Sequence, residues 1–570
     1  MRITDLEIQN FRGIRESHVS FPLDSRIICL IGAGDSTKTT LLKAIEWVSY
    51  PAWNLAANDS DFYLGDTSNP IIIRVTFTEF PDKFMAEDKF GLYLRKPWIT
   101  PEDGPNDEPV DELPACLTIQ LTIDAALEPK WEIICNRLEP RTISHVDRRQ
   151  LFVGAIGNNT SKDMTWGRYS VLQKYADSKG VLHDAYTAAV REISKKADLS
   201  ALDAISATLT DVGRKYGVGF TAEIKSRLQI QGNSFATTVG LFEGDAPLSQ
   251  FGTGSQRLLS MGLNIGAAPG EALLLIDEIE NGLEPYRLRN LINEFRSDHN
   301  ASGQIIMTTH SPIVVAECTI DELMVVHSDE GFTNAVFLKG NDPETNKSIQ
   351  AEVRRNAEAF LSKRIIICEG KTEIGFIRAV DRHIAGIKNY RMAYKGVGTA
   401  DGNGSNIFKC ADVLRGCGYN ICILMDSDKD SEDGEKERMR LAGISVFDWD
   451  KPNAFEEQCF IELPMPALQE EIQIAIDEKS ADSIAARLAD NTISFDRGGD
   501  TISLSTITTE QRKTLGKIAK DKNWYKRIDL GEQFGNVVMN YLTELDAESA
   551  IKRVVTGLTE WVIKDDETGA

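Results

Sequence analysis

The sequence predicts a two-part α/β protein, and three observations carry the prediction. Residues Arg26–Ile31 and the following GAGDSTKTTLLKAIEWV read as an apolar strand, a glycine-containing loop and an amphipathic helix. The apolar run in ALLLIDEIENGLEP (272–285) ends in Asp277 and Glu278, and that in QIIMTTHSP (304–312) leads to His310. The pattern recurs in RIIICEGKTEIGFI (364–377) and ICILMDSDKD (421–430), where continuous apolar runs stop on acids. Buried parallel strands look like this when their C-terminal ends face a ligand.

A chain of 570 residues exceeds a single core, so several domains are expected. Hydrophobic residues make up 42% and charged residues 26%, ordinary for a soluble globular protein. No apolar run approaches the roughly 18 residues of a membrane span. The N-terminus MRITDLEIQNFRG lacks a signal-peptide core, so a cytoplasmic protein without membrane contact is expected. A net charge of −23 excludes coating of nucleic acid by bulk attraction, and any DNA contact must use a local basic patch. The nine cysteines are odd in number and scattered in apolar context, which points to reduced core thiols rather than disulfides or zinc ligands.

Met1–Gln9 alternates apolar and polar residues and reads as a strand. The loop from Gly32 to Thr39 nearly meets the phosphate-cradling pattern GxxxxGK[ST], with Lys38 reaching the outer phosphates and Thr39 on Mg²⁺. Thr37 stands where the second glycine belongs. A left-handed backbone there would cost threonine about 1–2 kcal/mol, so weak or shifted nucleotide binding is expected. Between Pro51 and Arg168 strands are expected at Ile71–Phe77, Leu117–Ile123 and Trp131–Cys135, with Thr100–Pro114 as an exposed loop. From Val171 to Gln231 the apolar spacing turns helical, which predicts an insertion of two or three helices. LSQFGTGSQRLLSMGL (248–263) then gives a glycine-containing turn and a helix. A strand-terminal Asp277 suits Mg²⁺, Glu278 suits activation of the attacking water, and His310 suits sensing of a γ-phosphate.

Gly32–Thr39, Gly252–Gln256, Leu273–Glu278 and Thr308–Pro312 resemble, in that order, the Walker A, signature, Walker B and H-loop motifs of ABC-type ATPases. Asn10-Phe11-Arg12 resembles a step in the branch shared with chromosome-maintenance and double-strand-break-repair ATPases. The resemblance implies ATP on Gly32, Gly34, Asp35, Ser36, Thr37, Lys38, Thr39 and Thr40, with Mg²⁺ on Thr39 and Asp277. It also implies a homo-oligomer, dimer or tetramer, in which Gly252, Gly254, Ser255 and Gln256 of one subunit close over nucleotide held by another. No Q-loop glutamine is apparent, and with Thr37 this predicts slow or regulatory hydrolysis.

Farther along, Glu369–Glu373 (EGKTE) and Asp426–Asp428 (DSD) resemble a Toprim domain, the fold of topoisomerases, primases and certain nucleases. An ABC-type ATPase followed by a Toprim domain is similar to the OLD (overcoming lysogenization defect) family of ATP-linked nucleases, many from antiphage systems of Gabija and retron type. The resemblance implies a two-metal site on Glu369, Glu373, Asp426 and Asp428, with Mg²⁺ or, in its place, Mn²⁺. Asp430 opens an acidic run that reads mainly as a solvated loop, and Glu456 or Glu457 is either a further ligand or a helix start. The family also uses a late lysine. RKTLGKIAKDKNWYKR (512–527) combines basic residues with Trp524 and Tyr525, suited to phosphate contact and base stacking; Lys526 is the expected active-site lysine and Lys522 its competitor.

The expected layout is an ATPase part at 1–165, a helical insertion at 166–235, the second ATPase part at 236–360 and a Toprim domain at 361–570. The expected function is ATP-regulated, Mg²⁺-dependent DNA cleavage in antiphage defence. The alternatives are an ATP-driven DNA clamp and a scaffold subunit active only with a partner such as a helicase or reverse transcriptase.

Overall fold

The computed structural model describes residues 1–97, 107–151, 153–157, 164–166, 172, 199–230, 237–267, 273–297, 303–340 and 342–564. It divides into two compact units, Met1–Asn341 and Asp342–Ala570. The division falls ahead of the expected 360/361 boundary, because the helix Pro343–Arg355 belongs with the second unit.

Unit one is built on a 12-stranded sheet. Its N-terminal strands are β1 (Arg2–Phe11), β2 (Ile14–Ser20) and β3 (Ile27–Ile31), followed by helix α1 (Lys38–Val48). Next come β4 (Ile71–Thr78), β5 (Leu117–Ile123), β6 (Pro129–Ile134), β7 (Arg141–Thr142) and β8 (Val153–Ile156). A smaller sheet holds β9 (Thr165–Trp166), β10 (Ile224–Ile230), β11 (Thr237–Glu243) and β12 (Ala246–Pro247), with helix α2 (Asp203–Lys215) between β9 and β10. Helix α3 (Thr253–Ala267) then precedes β13 (Leu273–Ile276), β14 (Ile305–Thr308), β15 (Leu323–Asp329) and β16 (Phe332–Phe337).

The strand order β7-β6-β5-β4-β1-β2-β16-β15-β3-β14-β13-β8 separates two halves. From β7 to β2 the pairing is antiparallel, and from β15 to β8 it is parallel. Every residue of β3, β13 and β14 is buried, as strands covered on both faces require.

Two expectations need correction. The stretch 166–235 was expected to be helical, but Ile224–Ile230 is a strand paired with β11; the alternation of KSRLQI suits a sheet with one wet face better than a helix. Helix α2 agrees with the expectation over Asp203–Lys215, and residues 173–198 lie outside the described residues. In the loop expected at 100–114, Asp107 is wholly buried and ion-paired with Arg137, with Arg95 also within reach, because the two arginines need a counter-charge there.

Unit two contains a four-stranded parallel sheet of β17 (Arg364–Cys368), β18 (Val397–Asp401), β19 (Asn420–Met425) and β20 (Ser445–Asp448), in the order β18-β17-β19-β20. Helix α4 (Lys371–Lys388) follows β17, and α5 (Asp433–Leu441) follows β19. A helical layer follows: α6 (Phe455–Glu462), α7 (Met465–Lys479), α8 (Thr509–Asp521) and α9 (Ile528–Tyr541). Two close approaches fix the helices on one another, α9 on α4 and α8 on α6. On α4, a Cβ added to Gly375 would lie 2.3 Å from the Ile528 carbonyl, and one added to Gly531 of α9 would lie 2.4 Å from that of Thr372. At Gly516 of α8 a Cβ would meet the Glu457 Cα at 2.6 Å. Only glycine lets these backbones touch.

Trp524 and Tyr525, expected to stack on bases, are core residues instead, 2% and 0% exposed. The Tyr525 hydroxyl donates to the Glu471 carbonyl at 2.8 Å and its ring packs on Phe534. An aromatic pair at the junction of two helices buries more apolar surface inward than outward. All nine cysteines are free, eight of them buried, as expected.

Candidate functional site

In unit one the strand order brings the motifs together. Because β3, β14 and β13 are adjacent and parallel, the loops after them leave the same edge of the sheet. Thr37 caps α1 in the left-handed region, at φ 65°, and its hydroxyl lies 2.9 Å from that of Thr333 on β16. Gly32 is needed for a close approach: a Cβ there would lie 2.5 Å from the Val326 carbonyl. Gly34 and Asp35 are exposed, Ser36 is buried, and Thr40 is half-buried. Lys38, 4% exposed, folds back on the loop and donates to the carbonyls of Gly32 (3.0 Å) and Ala33 (2.7 Å) and to the Ser36 hydroxyl (3.0 Å). Burial lowers its pKa to about 8, against the opposing pull of Asp277 and Asp35.

Thr39 and Thr308 both donate to Asp277 Oδ1, at 2.9 and 2.7 Å. Their hydroxyls bring the ends of α1, β13 and β14 onto one carboxylate. Glu278 sits at φ 49° with its amide donating to Thr308 Oγ1 at 2.8 Å. His310 is exposed, and its backbone N–H donates to Glu280 at 2.6 Å. Glu280 and Arg257 escaped the sequence reading. Buried Arg257, on α3, donates to the carbonyls of Gly157, Asp277 and Glu278, tying the signature helix to the Walker B strand. Gln256 is turned inward onto the carbonyls of Ser249 and Phe251, at 3.0 and 2.7 Å. At Gly254 a Cβ would meet the Gly282 carbonyl at 2.1 Å, whereas Gly252 is exposed and Ser255 half-buried.

In unit two the C-terminal edge of the sheet gathers five carboxyl groups. Glu369, at the end of β17, accepts the Asp426 amide at 3.0 Å, and its other oxygen lies 3.3 Å from Lys429 Nζ. Asp426, at the end of β19, accepts the Phe455 amide at the start of α6, at 2.9 Å. Glu373 on α4 and Glu456 on α6 are 7% and 6% exposed. Burial first, then Glu456 and Glu369, push Glu373 up to about 8. Burial and Asp426 push Glu456 up to about 7, and burial with Glu373 and Glu369 holds Asp426 well above the usual carboxylate range. These carboxyls share one low-dielectric edge and resist ionising together.

Two ammonium groups answer the five acids. Lys520, on α8, pairs with Asp428 and lies 3.8 Å from Asp426 Oδ2; burial opposes its charge, but Asp428 and Asp426 raise its pKa. Lys429 pairs with Glu369 and Glu432. From behind, buried Lys436 of α5 donates to the Asp426 carbonyl (2.7 Å), Ser427 Oγ (2.8 Å) and Asp448 (3.1 Å), fixing the Asp-Ser-Asp turn. Glu457 serves as a helix cap, accepting the Ala454 amide at 2.9 Å, while its neighbour Glu456 faces the acids. Asp430 is 89% exposed and paired with Lys451, as a solvated loop residue. Lys526 is exposed, near enough to Glu456 to lower its pKa, and Lys522 is an exposed C-cap of α8. Among the lysines of 512–527, the one paired with the acids is therefore Lys520. Sequence spacing hid it, because Lys517, Lys520, Lys522 and Lys526 look alike until Gly516 seats α8 on α6.

Among the described residues, no three acidic, histidine or cysteine side chains stand at metal-holding distance. The donor chemistry nevertheless suits a hard divalent cation. Carboxyls outnumber ammonium groups, and the buried Oδ1 of Asp428 has no hydrogen-bond partner.

Three family descriptions match parts of the chain. Residues 1–178 match "AAA ATPase domain", and residues 170–316 match "AAA domain, putative AbiEii toxin, Type IV TA system". Residues 360–428 match "Overcoming lysogenization defect protein-like, TOPRIM domain". The chain joins an AAA ATPase to an OLD-like Toprim domain. This make-up is consistent with an OLD-family ATPase–Toprim protein and supports an ATP-dependent, nuclease-like function.

Solved structures similar to part of the chain include an Smc head bound to the C-winged helix domain of ScpA, at 15% identity and TM-score 0.37, covering 59% of this chain and 97% of that one. An Smc head from Pyrococcus furiosus, bound to the C-terminal domain of ScpA, matches at 13% and 0.37 over 62% and 99%. One from Thermotoga maritima matches at 13% and 0.30 over 60% and 100%. No curated protein matches in sequence. Among the described residues no helix is long and apolar enough to cross a membrane.

Proposed function

We propose that this OLD-like protein is an ATP-regulated, divalent-cation-dependent DNA endonuclease of the cytoplasm, acting in antiphage defence. The observation that carries the reading is the convergence of five carboxyls and two lysines at the C-terminal edge of β17 and β19. Glu369, Asp426 and Asp428 would hold the cation, with Glu373 and Glu456 beside them. When bound, Mg²⁺ or Mn²⁺ supplies Lewis-acid stabilisation of phosphate charge and an activated water. Lys520 keeps an ammonium beside Asp428 for the charge that builds on the phosphate. Lys436 and the Phe455 amide hold Asp426 in place, so the edge is preorganised on rigid elements.

Supercoiled plasmid incubated with the protein and Mg²⁺ or Mn²⁺, with and without ATP, tests the reading. Nicking or linearisation that Glu369→Ala abolishes is expected; an inert wild type that cuts only with an added helicase or reverse transcriptase would favour a scaffold role instead. A second reading concerns control by ATP occupancy rather than turnover, favoured by the left-handed Thr37 in the phosphate loop. Vigorous hydrolysis by wild type, suppressed in Glu278→Gln, would sink it.

A further inference from the structure

Residues Arg382 to Ala400 include Arg382, Lys388, Arg391 and Lys395 and no acid, although 86 of the chain's 570 residues are acidic. This run forms the C-terminal end of α4, the turn after it and a short 3-10 helix, Met392–Lys395, that leads into β18. It therefore lies at the N-terminal edge of the Toprim sheet, the end opposite the carboxyls. Glu373 and Lys388 stand fifteen positions apart on α4, roughly 22 Å at 1.5 Å per residue.

The turn is built rather than loose. Asn389 ends α4 in the left-handed region at φ 61°. Asp381 accepts the Met392 amide at 2.6 Å and pairs with Arg391 at 3.0 Å, while Met392 is buried beneath. Gly396, at φ 68°, lets the backbone lie against the stem of Lys363, where a Cβ would come within 2.8 Å, and brings that exposed lysine alongside. On this base Tyr390 and Tyr394 lean together with ring centroids 5.4 Å apart. Tyr394 is 77% exposed and Ile387, near the end of α4, 59%.

An aromatic face left in water among basic side chains suits a ligand that brings phosphate charge and a flat unpaired base. We propose that this face is a stacking platform for single-stranded nucleic acid, separate from the cleavage edge. Tyr394 offers the ring, and exposed Lys363 and Lys388 offer charge for the backbone. A duplex hides its bases from such a ring, so the face prefers unpaired strands. The inference goes beyond the nuclease reading and does not require cleavage.

The test is fluorescence anisotropy of the full chain with a labelled oligothymidylate and with a duplex of equal length, in chelator, at several salt concentrations. The wild type is expected to bind the single strand in preference to the duplex. Tyr394→Ala should weaken single-strand binding about tenfold while Tyr394→Phe retains it. Lys388→Glu should lower the slope of log affinity against log salt by about 0.7. Unchanged melting temperatures would show that the variants are folded. Wild-type affinity in both Tyr394→Ala and Lys388→Glu overturns the platform, as does a wild type that binds no strand; either result leaves the face to a protein partner. Plasmid cleavage by the same samples separates the two readings. Cleavage with platform-independent binding removes the platform alone, and platform-dependent binding without cleavage removes the nuclease alone.

Discussion

Thr37 combines strain with compensation. Its left-handed backbone costs about 1–2 kcal/mol, and the bond to Thr333 returns roughly 1 kcal/mol. Thr37→Gly removes both and is expected to leave the denaturation midpoint almost unchanged. Thr37→Ala keeps the strain and loses the bond, and should cost about 1 kcal/mol. Equal losses in chemical denaturation would show that the loop is not strained. At the second site the lysines are compared the same way. Lys520 pairs with Asp428, whereas Lys526 is exposed and reaches the acids only at longer range. Lys520→Ala should reduce plasmid cleavage by at least two orders of magnitude, as loss of a preorganised charge at a transition state does. Lys526→Ala should reduce it severalfold. The reverse ranking would restore Lys526 as the active-site lysine.

At the scale of elements, the sequence announced the strands that carry chemistry, because each is a short apolar run that stops on a glycine or an acid. Ile27–Ile31, Leu273–Ile276, Ile365–Cys368 and Ile421–Met425 were legible for that reason. What periodicity could not supply was the packing of helices from distant sequence onto those strands. Gly375 against Ile528 and Gly516 against Glu457 decide that Lys520 and Glu456 reach the acids. Glycines at such contacts look like any other glycines in a sequence. Strand Ile224–Ile230 escaped because its alternation reads as the tail of a helical stretch. The helical layer also carries a cost invisible in sequence: Glu471 of α7 is wholly buried with neither carboxyl oxygen hydrogen-bonded. Burial first, then Glu470, holds its pKa well above the usual range, so the folded state binds a proton that the unfolded state has released. Stability attributable to this group is present below about pH 4.5 and is lost as pH rises toward the folded pKa, by at most about 1.4 kcal/mol per unit. Glu471→Gln should therefore match the wild type near pH 4.5 and exceed it increasingly above. Parallel denaturation curves at every pH would remove the assignment.

At the scale of the whole molecule, the nucleotide loop of the ATPase half and the turn that opens its signature helix make separate contacts, although Arg257 farther along that helix reaches the Asp277 carbonyl. Lys38 and Thr39 answer to the loop carbonyls and Asp277, while Gly254 and Gln256 answer to Gly282 and their own turn. Exposed Gly34, Asp35 and Gly252 are left as surface that a second copy can close over. Each chain carries −23, so two copies repel until counterions screen them. The Debye length falls from about 10 Å at 0.1 M salt to about 3 Å at 1 M. ATP is therefore expected to drive association more readily at moderate than at low salt, the opposite of a pairing held by surface ion pairs. Light scattering of Glu278→Gln with ATP and Mg²⁺ should show a dimer or tetramer that Lys38→Ala does not form. A single species in every sample, whatever the nucleotide or salt, would mean that ATP acts within one chain.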